Sequence, residues 1–233
     1  MKTLQPLTVD SLLHELTTHP VNTNIFFVDF REHVLTTAQL QTFVGQYHFF
    51  CHRFVKLLEG LLYQTPLDEL EMRVELTKTL YSELGSGSLP HAHIRQLERF
   101  AQAVEMSEQD LRHTQPVPEV QEYLECIHHL FMEAGYLQAL GAEWAIETTA
   151  VSEFQYFLPG LQKYSQFTPH DLTFFSMHLE EELAHSHWMT QGVRHTAKNP
   201  EDLEQVARGA RQTAEAWHTF WKGMHRTVFD SRA

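Results

Sequence analysis

The chain has few cysteines, no long uncharged apolar run and no excess of basic residues. Its 233 residues include two cysteines, Cys51 and Cys126, which are too few for a disulfide framework and are typical of a reducing compartment. No uncharged segment approaches the length of a membrane span, and the N-terminal segment lacks the apolar core and cleavage site of a signal peptide. We therefore expect a cytoplasmic protein without a membrane partner.

The charge balance is acidic. There are 17 lysines and arginines against 30 aspartates and glutamates, which gives a formal net charge of −13 at pH 7. Nucleic acids and anionic membranes bind basic surfaces, because phosphates need cationic partners, so both are excluded as expected partners. The chain can bury a substantial core, and no linker or repeat divides it, so we expect one domain over residues 1–233.

Helical patterns recur along the chain and strand patterns are nearly absent. Apolar residues between 37 and 63 are spaced by threes and fours, which predicts a long amphipathic helix. From residue 22 onward the pattern predicts seven or eight helices in an all-α bundle. Predicted helix starts are Thr65-Pro66, Ser107, Pro118, Thr168-Pro169 and Asn199-Pro200, and predicted stops are Gly85 and Gly135.

The segment FFSMHLEEELAH, residues 174–185, carries the strongest chemical signal. His178, Glu182 and His185 stand at positions i, i+4 and i+7, and at about 100° per residue their side chains share one helical face. With this composition the full pattern is expected only about 0.2 times by chance. Imidazole and carboxylate are metal ligands, so the pattern favours a metal site.

Two glutamates upstream have suitable positions to complete such a site. Glu83 ends a predicted helix and is followed by a glycine-rich loop and His93. Glu147 lies in the very apolar segment ALGAEWAIE, where a carboxylate is either near a helix edge or inside the bundle. A buried carboxylate without a partner costs several kcal/mol, so a glutamate in the core needs a cation.

Three segments resemble a known family in the same order along the chain. They are LYSELGSGSLPHAHIRQLERF at 80–100, LGAEWAIE at 140–147 and FFSMHLEEELAH at 174–185. Together they resemble the haem-oxygenase-like diiron oxidases, a group that includes thiaminase-like proteins and death-domain-associating para-aminobenzoate synthases. The resemblance covers about residues 24–190.

The resemblance implies a single haem-oxygenase-like helical bundle and an iron-dependent oxidoreductase. It implies that two non-haem irons act with O2 on a small organic substrate, that an electron donor takes part, and that a homodimer is compatible with the fold. The residues that match the family's iron ligands are Glu83, His93, Glu147, His178, Glu182 and His185. Three imidazoles and three carboxylates suit two irons, which accept mixed nitrogen and oxygen ligands.

The chain departs from the family at several positions. Glu182 stands where the family more often has aspartate, and His91 competes with His93, which we prefer because Leu97 and Phe100 follow it at the family's spacing. The para-aminobenzoate synthase branch uses a sacrificial tyrosine and a lysine, and the corresponding positions here hold Phe27 and Phe157. We therefore do not expect that particular activity.

Three alternatives use other residues. A metal-free thiaminase-like hydrolase would use Cys51 or Cys126 as a nucleophile, although a cysteine on an apolar helical face is more often a buried hydrophobe. A ferritin-type site would combine two Glu-x-x-His pairs with two lone glutamates, namely Glu125 and His128, Glu182 and His185, Glu83 and Glu147. A non-catalytic binding protein would keep a vestigial site. The aromatic and imidazole side chains on apolar stripes favour core positions over substrate contacts, namely Tyr47, His48, Trp144 and Tyr156.

Overall fold

The computed structural model describes residues 6–230, and within that range it contains helices and no strand. The all-α prediction is therefore confirmed. The helices are α1 Val9–Thr17, α2 Ile25–Glu32, α3 Thr37–Gln64, α4 Leu70–Glu83, α5 His93–Ala103, α6 Glu108–His113, α7 Pro118–Met132, α8 Tyr136–Leu161, α9 Thr173–Thr196 and α10 Pro200–His225. Three short helical turns, Pro20–Thr23, Leu89–His91 and Arg226–Asp230, lie between or after them.

The number of helices differs from the prediction. The described residues form ten α-helices rather than seven or eight. Helix α1 precedes residue 22, where the prediction began, and α1 and α2 are only 9 and 8 residues long. A helix of about two turns repeats its apolar spacing too few times for the 3.6-residue period to stand out in sequence.

Helix α3 matches its predicted range closely. Thr36 caps its first turn, because its hydroxyl oxygen accepts a hydrogen bond from the backbone N–H of Gln39. The side-chain oxygen of Gln39 in turn accepts from the backbone N–H of Thr36. The buried face includes Leu40, Phe43 and Tyr47, as the apolar spacing predicts. The helix runs the length of the bundle and forms one wall of its interior.

The predicted helix starts have mixed outcomes. Ser107, Pro118 and Asn199 open helices α6, α7 and α10 as predicted. The start at Thr65 is wrong, because the Thr65 amide donates to the Leu61 carbonyl and ends α3 instead. The start at Thr168 is displaced, because Asp171 caps only a local turn there and the next helix begins at Thr173.

Helix α8 lies at the centre of the bundle and packs against α2, α7, α9 and α10. Its close approach to α10 depends on two glycines. A Cβ atom at Gly141 would overlap the Val206 carbonyl oxygen, and one at Gly209 would overlap the Gln138 carbonyl oxygen. The two backbones therefore touch directly, and this contact fixes the position of the polar residues that α8 carries one to two turns later.

A dense aromatic cluster fills the bundle next to the polar residues. Phe26 stacks on Trp221 with ring centroids 4.9 Å apart, and Phe27 lies 4.8 Å from the same indole ring.

Within residues 6–230, no helix combines the length and the apolar character needed to cross a bilayer.

Candidate metal centre

The six residues predicted as metal ligands converge as two groups of three in the bundle interior. Glu83, His93 and His178 form the first triplet, and Glu147, Glu182 and His185 form the second. Within each triplet, one ligand-type atom of every residue lies within 4.8 Å of the others. Helices α4, α5, α8 and α9 supply these side chains. The structure thus brings the six residues together, and binding of iron by them stays a prediction.

Helix α9 supplies half of the six residues. His178, Glu182 and His185 are all buried on the face that packs against α8. Their neighbour Glu180 is exposed, and so is His187, as the helical wheel predicts. The i, i+4, i+7 spacing therefore places one group of ligand types inside, while Glu180 faces solvent and Glu181 is partly buried.

A tight loop brings the end of α4 to the start of α5. Gly85 has a φ of +85°, and a Cβ there would overlap the Ala92 amide nitrogen and the Ser88 carbonyl oxygen, so only glycine fits. The loop places the Glu83 Oε1 atom 3.0 Å from His93 Nδ1. His91 is exposed in the loop, and it is His93 that reaches the cluster.

His178 is oriented by a backbone hydrogen bond. Its Nδ1 atom lies 2.7 Å from the Phe174 carbonyl oxygen, and because a carbonyl can only accept, Nδ1 carries the proton. The Nε2 lone pair is then free to face the triplet, an arrangement that is typical of metal-bound histidines. Burial, followed by the charge of His93, lowers the pKa of His178 to about 4, so the ring is neutral at pH 7.

The carboxylates of the second triplet compete for a proton. Burial raises the pKa of Glu182 well above its usual range, and the negative charge of Glu147 raises it further. Burial also raises the pKa of Glu147, but the hydrogen bond and positive charge of His185, 3.2 Å away, outweigh it and the net pKa is lowered. One proton therefore stays with Glu182 unless a cation replaces it.

One atom of the cluster without a partner fits a cation. Glu182 Oε2 is buried without a hydrogen-bond partner. Such an atom costs about 1–3 kcal/mol when it is left unsatisfied. A divalent metal would satisfy it and neutralise the carboxylates. The mixed nitrogen and oxygen donors of the two triplets suit iron in particular.

Glu143 is a buried acid next to the second triplet that the sequence analysis did not single out. It lies one helical turn before Glu147, it is 1% exposed, and neither carboxylate oxygen has a hydrogen-bond partner. Burial raises its pKa well above the usual range, and the charge of Glu147 adds to this effect. The i, i+4 spacing of two glutamates within the apolar segment AEWAIE was the sequence signal for it.

A small cavity of about 60 Å³ adjoins the two triplets. Both triplets contribute to its polar side, through Glu83, His93, Glu147, His178 and Glu182. Half of the other twelve lining residues are aromatic, namely Tyr47, Phe50, Phe54, Phe154, Phe174 and Trp217.

The cavity contains one further acid that the sequence analysis missed. Glu153 lines it and is 2% exposed, and its carboxylate accepts hydrogen bonds from Tyr47 Oη and Trp217 Nε1, each at 3.1 Å. No sequence motif distinguished it from a surface glutamate. Tyr47 is buried, as its apolar stripe predicts, and it also faces the cavity.

The cysteines do not have the environment of a nucleophile. Cys51 lines the cavity, but burial raises the pKa of its thiol well above the usual range, followed by the charge of Glu83. Burial also raises the pKa of Cys126, which is not among the residues that line the cavity. A thiol that stays protonated is a weak nucleophile, so the geometry does not favour the cysteine hydrolase.

The ferritin-type alternative is not supported by the geometry. The side chain of His128 is 57% exposed, and its Nδ1 atom lies 3.8 Å from Glu133. Glu125 and His128 line an open groove beside α3 instead of reaching Glu182 and His185. The Glu-x-x-His pattern occurs three times in the chain, at 125–128, 182–185 and 215–218, and only in the copy in α9 are both residues buried.

Phe27 and Phe157, the positions matched to the sacrificial tyrosine and the lysine, are buried side by side. Their ring centroids are 5.6 Å apart. Phe27 is 1% exposed and Phe157 is fully buried. Both places are thus filled by packed phenyl rings.

Comparison with known proteins agrees with these observations. A family model described as iron-containing redox enzyme matches residues 41–218. A 4-aminobenzoate synthase of Nitrosomonas europaea is 24% identical over 227 residues, which are 93% of this chain and 89% of the relative.

Solved structures show the fold. A CADD-like protein of unknown function from Nostoc punctiforme superposes with a TM-score of 0.78 at 21% identity and covers 94% of this chain and 98% of its own. A domain of unknown function with a heme oxygenase-like fold from Shewanella denitrificans has a TM-score of 0.72 at 14% identity, covering 97% and 93%. The predicted haem-oxygenase-like fold is confirmed.

Proposed function

Because this chain belongs to the family of iron-containing redox enzymes, we propose that it is a non-haem diiron oxygenase or oxidase that acts with O2 on a small organic substrate. The observation that carries the proposal is the pair of triplets, each with ligand-type atoms within 4.8 Å of one another. The first triplet would hold one iron and the second triplet the other. An external electron donor completes the proposed reaction.

The residues of the site have separate tasks in this proposal. Iron bound there would supply the redox chemistry that activation of dioxygen requires. The backbone bond from His178 Nδ1 to the Phe174 carbonyl holds the imidazole ring in one tautomer and one orientation. The proton that stays on Glu182 would leave when a cation binds, because metal binding displaces protons from the ligands.

The aromatic wall protects the site from water. Phe154 stacks on the His178 ring with centroids 4.7 Å apart, and the Phe174 ring lies 4.2 Å from it. These rings are 2% exposed. Excluding water from the cavity strengthens electrostatic interactions there and limits side reactions of a strong oxidant.

The substrate in this proposal is a separate molecule. The relative from Nitrosomonas europaea is a 4-aminobenzoate synthase, and the resemblance links that activity to a sacrificial tyrosine and a lysine. Here Phe27 and Phe157 stand at those positions and pack on each other. A phenyl ring carries neither the phenol oxygen nor the amine, so this chain lacks the side chains that such a reaction would consume.

The test is an iron count with an oxygen measurement. Protein loaded anaerobically with Fe(II) and freed of excess metal is expected to hold about two irons per chain, one for each triplet. Oxygen uptake above background is then expected only when substrate and a reductant are both added.

Other outcomes identify the alternatives. A chain that binds no iron but hydrolyses its substrate in a cysteine-dependent manner would be the thiaminase-like hydrolase. A chain that binds small molecules with no turnover in any screen of substrates would be the binding protein. One tightly held metal per chain would contradict the diiron assignment.

A further inference from the structure

Glu153 lines the same cavity as the two triplets. This residue lies six positions after Glu147 in α8 and is 2% exposed. Its carboxylate faces a cavity whose lining contains no lysine and no arginine. A buried carboxylate normally has a cation beside it, because leaving it unpaired costs several kcal/mol. Here the protein itself supplies none.

Both hydrogen-bond partners of Glu153 can donate to an ionised carboxylate. Tyr47 Oη donates to one oxygen and Trp217 Nε1 to the other, each at 3.1 Å. When Glu153 is protonated, the Tyr47 hydroxyl can accept instead, whereas the indole N–H can only donate. A carboxylate has about four acceptor positions, of which these bonds use two, so further donors can still bind from the cavity.

Without a cation, burial determines the protonation of this group. It raises the pKa of Glu153 to about 8, even though the donors on Tyr47, Trp217 and Trp221 lower it. Glu153 therefore keeps a proton at neutral pH when no cation lies beside it. A cationic ligand would replace that proton and leave an ionised carboxylate for the neighbouring donors.

The aromatic rings around Glu153 are the second feature that suits a cation. Tyr47 and Trp217 hold the carboxylate, and Phe50 packs on Trp217 with ring centroids 5.0 Å apart. All three rings line the cavity. Aromatic faces attract an ammonium group, and the attraction grows where water is excluded. A buried carboxylate among aromatic rings is a combination that recognises an organic cation.

We infer that Glu153, Tyr47 and Trp217 bind the ammonium group of the substrate, and that the substrate class is small organic amines. This inference deepens the proposed function and rests on it for the reaction, although the binding itself does not require iron. Because the triplets line the same cavity, an amine held by Glu153 extends its carbon chain toward them.

The size of the cavity limits the ligand in this conformation. A volume of about 60 Å³ corresponds to the share of about two water molecules in the liquid. Methylammonium, with two non-hydrogen atoms, fits without movement of the walls. Longer amines need the cavity to widen, and we expect affinity to depend on chain length.

The charge of Glu153 acts on four titratable groups of the surrounding helices. Burial keeps three of them, Tyr47, Cys51 and Tyr123, protonated, since it raises each pKa well above the usual range. The fourth group, Glu182, belongs to the second triplet, and the charge of Glu153 is one of the causes that raise its pKa. Glu153→Gln therefore removes one acid and also lowers the pKa of Glu182.

The experiment is a calorimetric titration with methylamine in two buffers that differ in ionisation enthalpy. It is run on metal-free and on anaerobic Fe(II)-loaded protein, at pH 7 and at pH 9. Methylamine is cationic at both pH values. With a pKa of about 8, Glu153 is expected to release roughly nine-tenths of a proton per bound amine at pH 7 and roughly one-tenth at pH 9.

Variants and neutral ligands supply the controls. Glu153→Gln keeps the shape and is expected to weaken methylamine binding by roughly ten-fold or more and to abolish proton release. Glu98→Gln removes a carboxylate on α5 that does not line the cavity, and it should bind methylamine like the wild type. Methanol, which has the same size without the charge, should not release a proton.

The outcomes separate this inference from the proposed function. Equal methylamine affinity in wild type and Glu153→Gln, or no proton release by the wild type at pH 7, would overturn the amine site. Loss of iron in Glu153→Gln with unchanged amine binding would also overturn it and assign Glu153 to the metal centre. Amine binding with proton release in a chain that holds no iron would support the amine site while contradicting the diiron function.

Discussion

The cavity lining has two parts, the triplets (called the ligand end) and the surroundings of Glu153 (called the Glu153 end). The buried carboxylates of the two parts have different neighbours. At the ligand end, His93 lies 3.0 Å from Glu83, and His185 lies 3.2 Å from Glu147. Although burial raises the pKa of both acids, these imidazoles reverse the effect and the net pKa of each is lowered. At the other end, Glu153 contacts only neutral donors, and its pKa rises to about 8.

The comparison shows that burial alone does not determine the charge of an acid. A carboxylate in a low-dielectric interior stays ionised where a positive group is close, and it takes up a proton where the neighbours are neutral. The ligand end is therefore prepared for metal cations that complete its charge balance. The Glu153 end holds a proton that a ligand can displace.

The largest expected effect distinguishes the two ends by iron content. His178→Ala and His185→Ala should each lose at least one of the two irons, because each removes a nitrogen donor from one triplet. Glu153→Gln should keep both irons. Metal analysis after anaerobic loading and gel filtration measures this difference.

His128→Ala is the matched control, since His128 is an exposed histidine on α7. It should retain both irons. Loss of iron from this variant would instead support the ferritin-type arrangement. The comparison between the two ends of the cavity would then be wrong.

A smaller effect is expected on thermal stability. A ligand that binds only the folded state at a hundred times its Kd adds about 2.7 kcal/mol, which corresponds to roughly 5–10 °C in Tm for a chain of this size. Anaerobic Fe(II) should raise the Tm by about this amount. Glu147→Gln should reduce the shift, because it removes a ligand oxygen, while Glu153→Gln should leave it intact.

Differential scanning fluorimetry with and without Fe(II) measures both variants. The metal-free Tm of Glu147→Gln should fall, since the substitution weakens the buried pair that Glu147 forms with His185 at 3.2 Å. An iron shift of equal size in wild type and in His178→Ala would mean that the metal binds elsewhere.

The smallest expected effect is the pH dependence of the metal-free protein. Glu153 has a raised pKa in the folded state, so its contribution to stability is fully present below the unfolded value near 4.5 and is lost as the pH rises through about 8. The free energy of unfolding should therefore fall by about 2 kcal/mol between pH 6 and pH 8 because of this residue.

Urea denaturation of wild type and Glu153→Gln across this pH range measures that contribution together with the effect of Glu153 on the pKa of Glu182. The curve of the variant should be flatter by about the same amount. Parallel curves would show that Glu153 is already ionised in the folded protein, and the contrast between the two ends would disappear.

Local sequence determined most of the helices. The three-to-four spacing of apolar residues predicts α3 within one residue at its C-terminal end, and Asn199 and Ser107 mark helix starts because their side chains cap the first turn. The same kind of signal was misleading at Thr65, where the Leu61 carbonyl captures the amide of the supposed cap. A capping residue can be recognised from local sequence. Whether it ends the preceding helix or begins the next one is decided by packing.

The ligand types and their helical face were also visible in the sequence, because the spacing of His178, Glu182 and His185 is a property of one helix. Tertiary structure alone decided which glutamates join them. Glu143, Glu147 and Glu153 lie on one helix, all buried, yet only Glu147 has a histidine from α9 beside it. Contacts between helices, set where Gly141 and Gly209 allow α8 and α10 to touch, determine what each buried acid faces and therefore what it can bind.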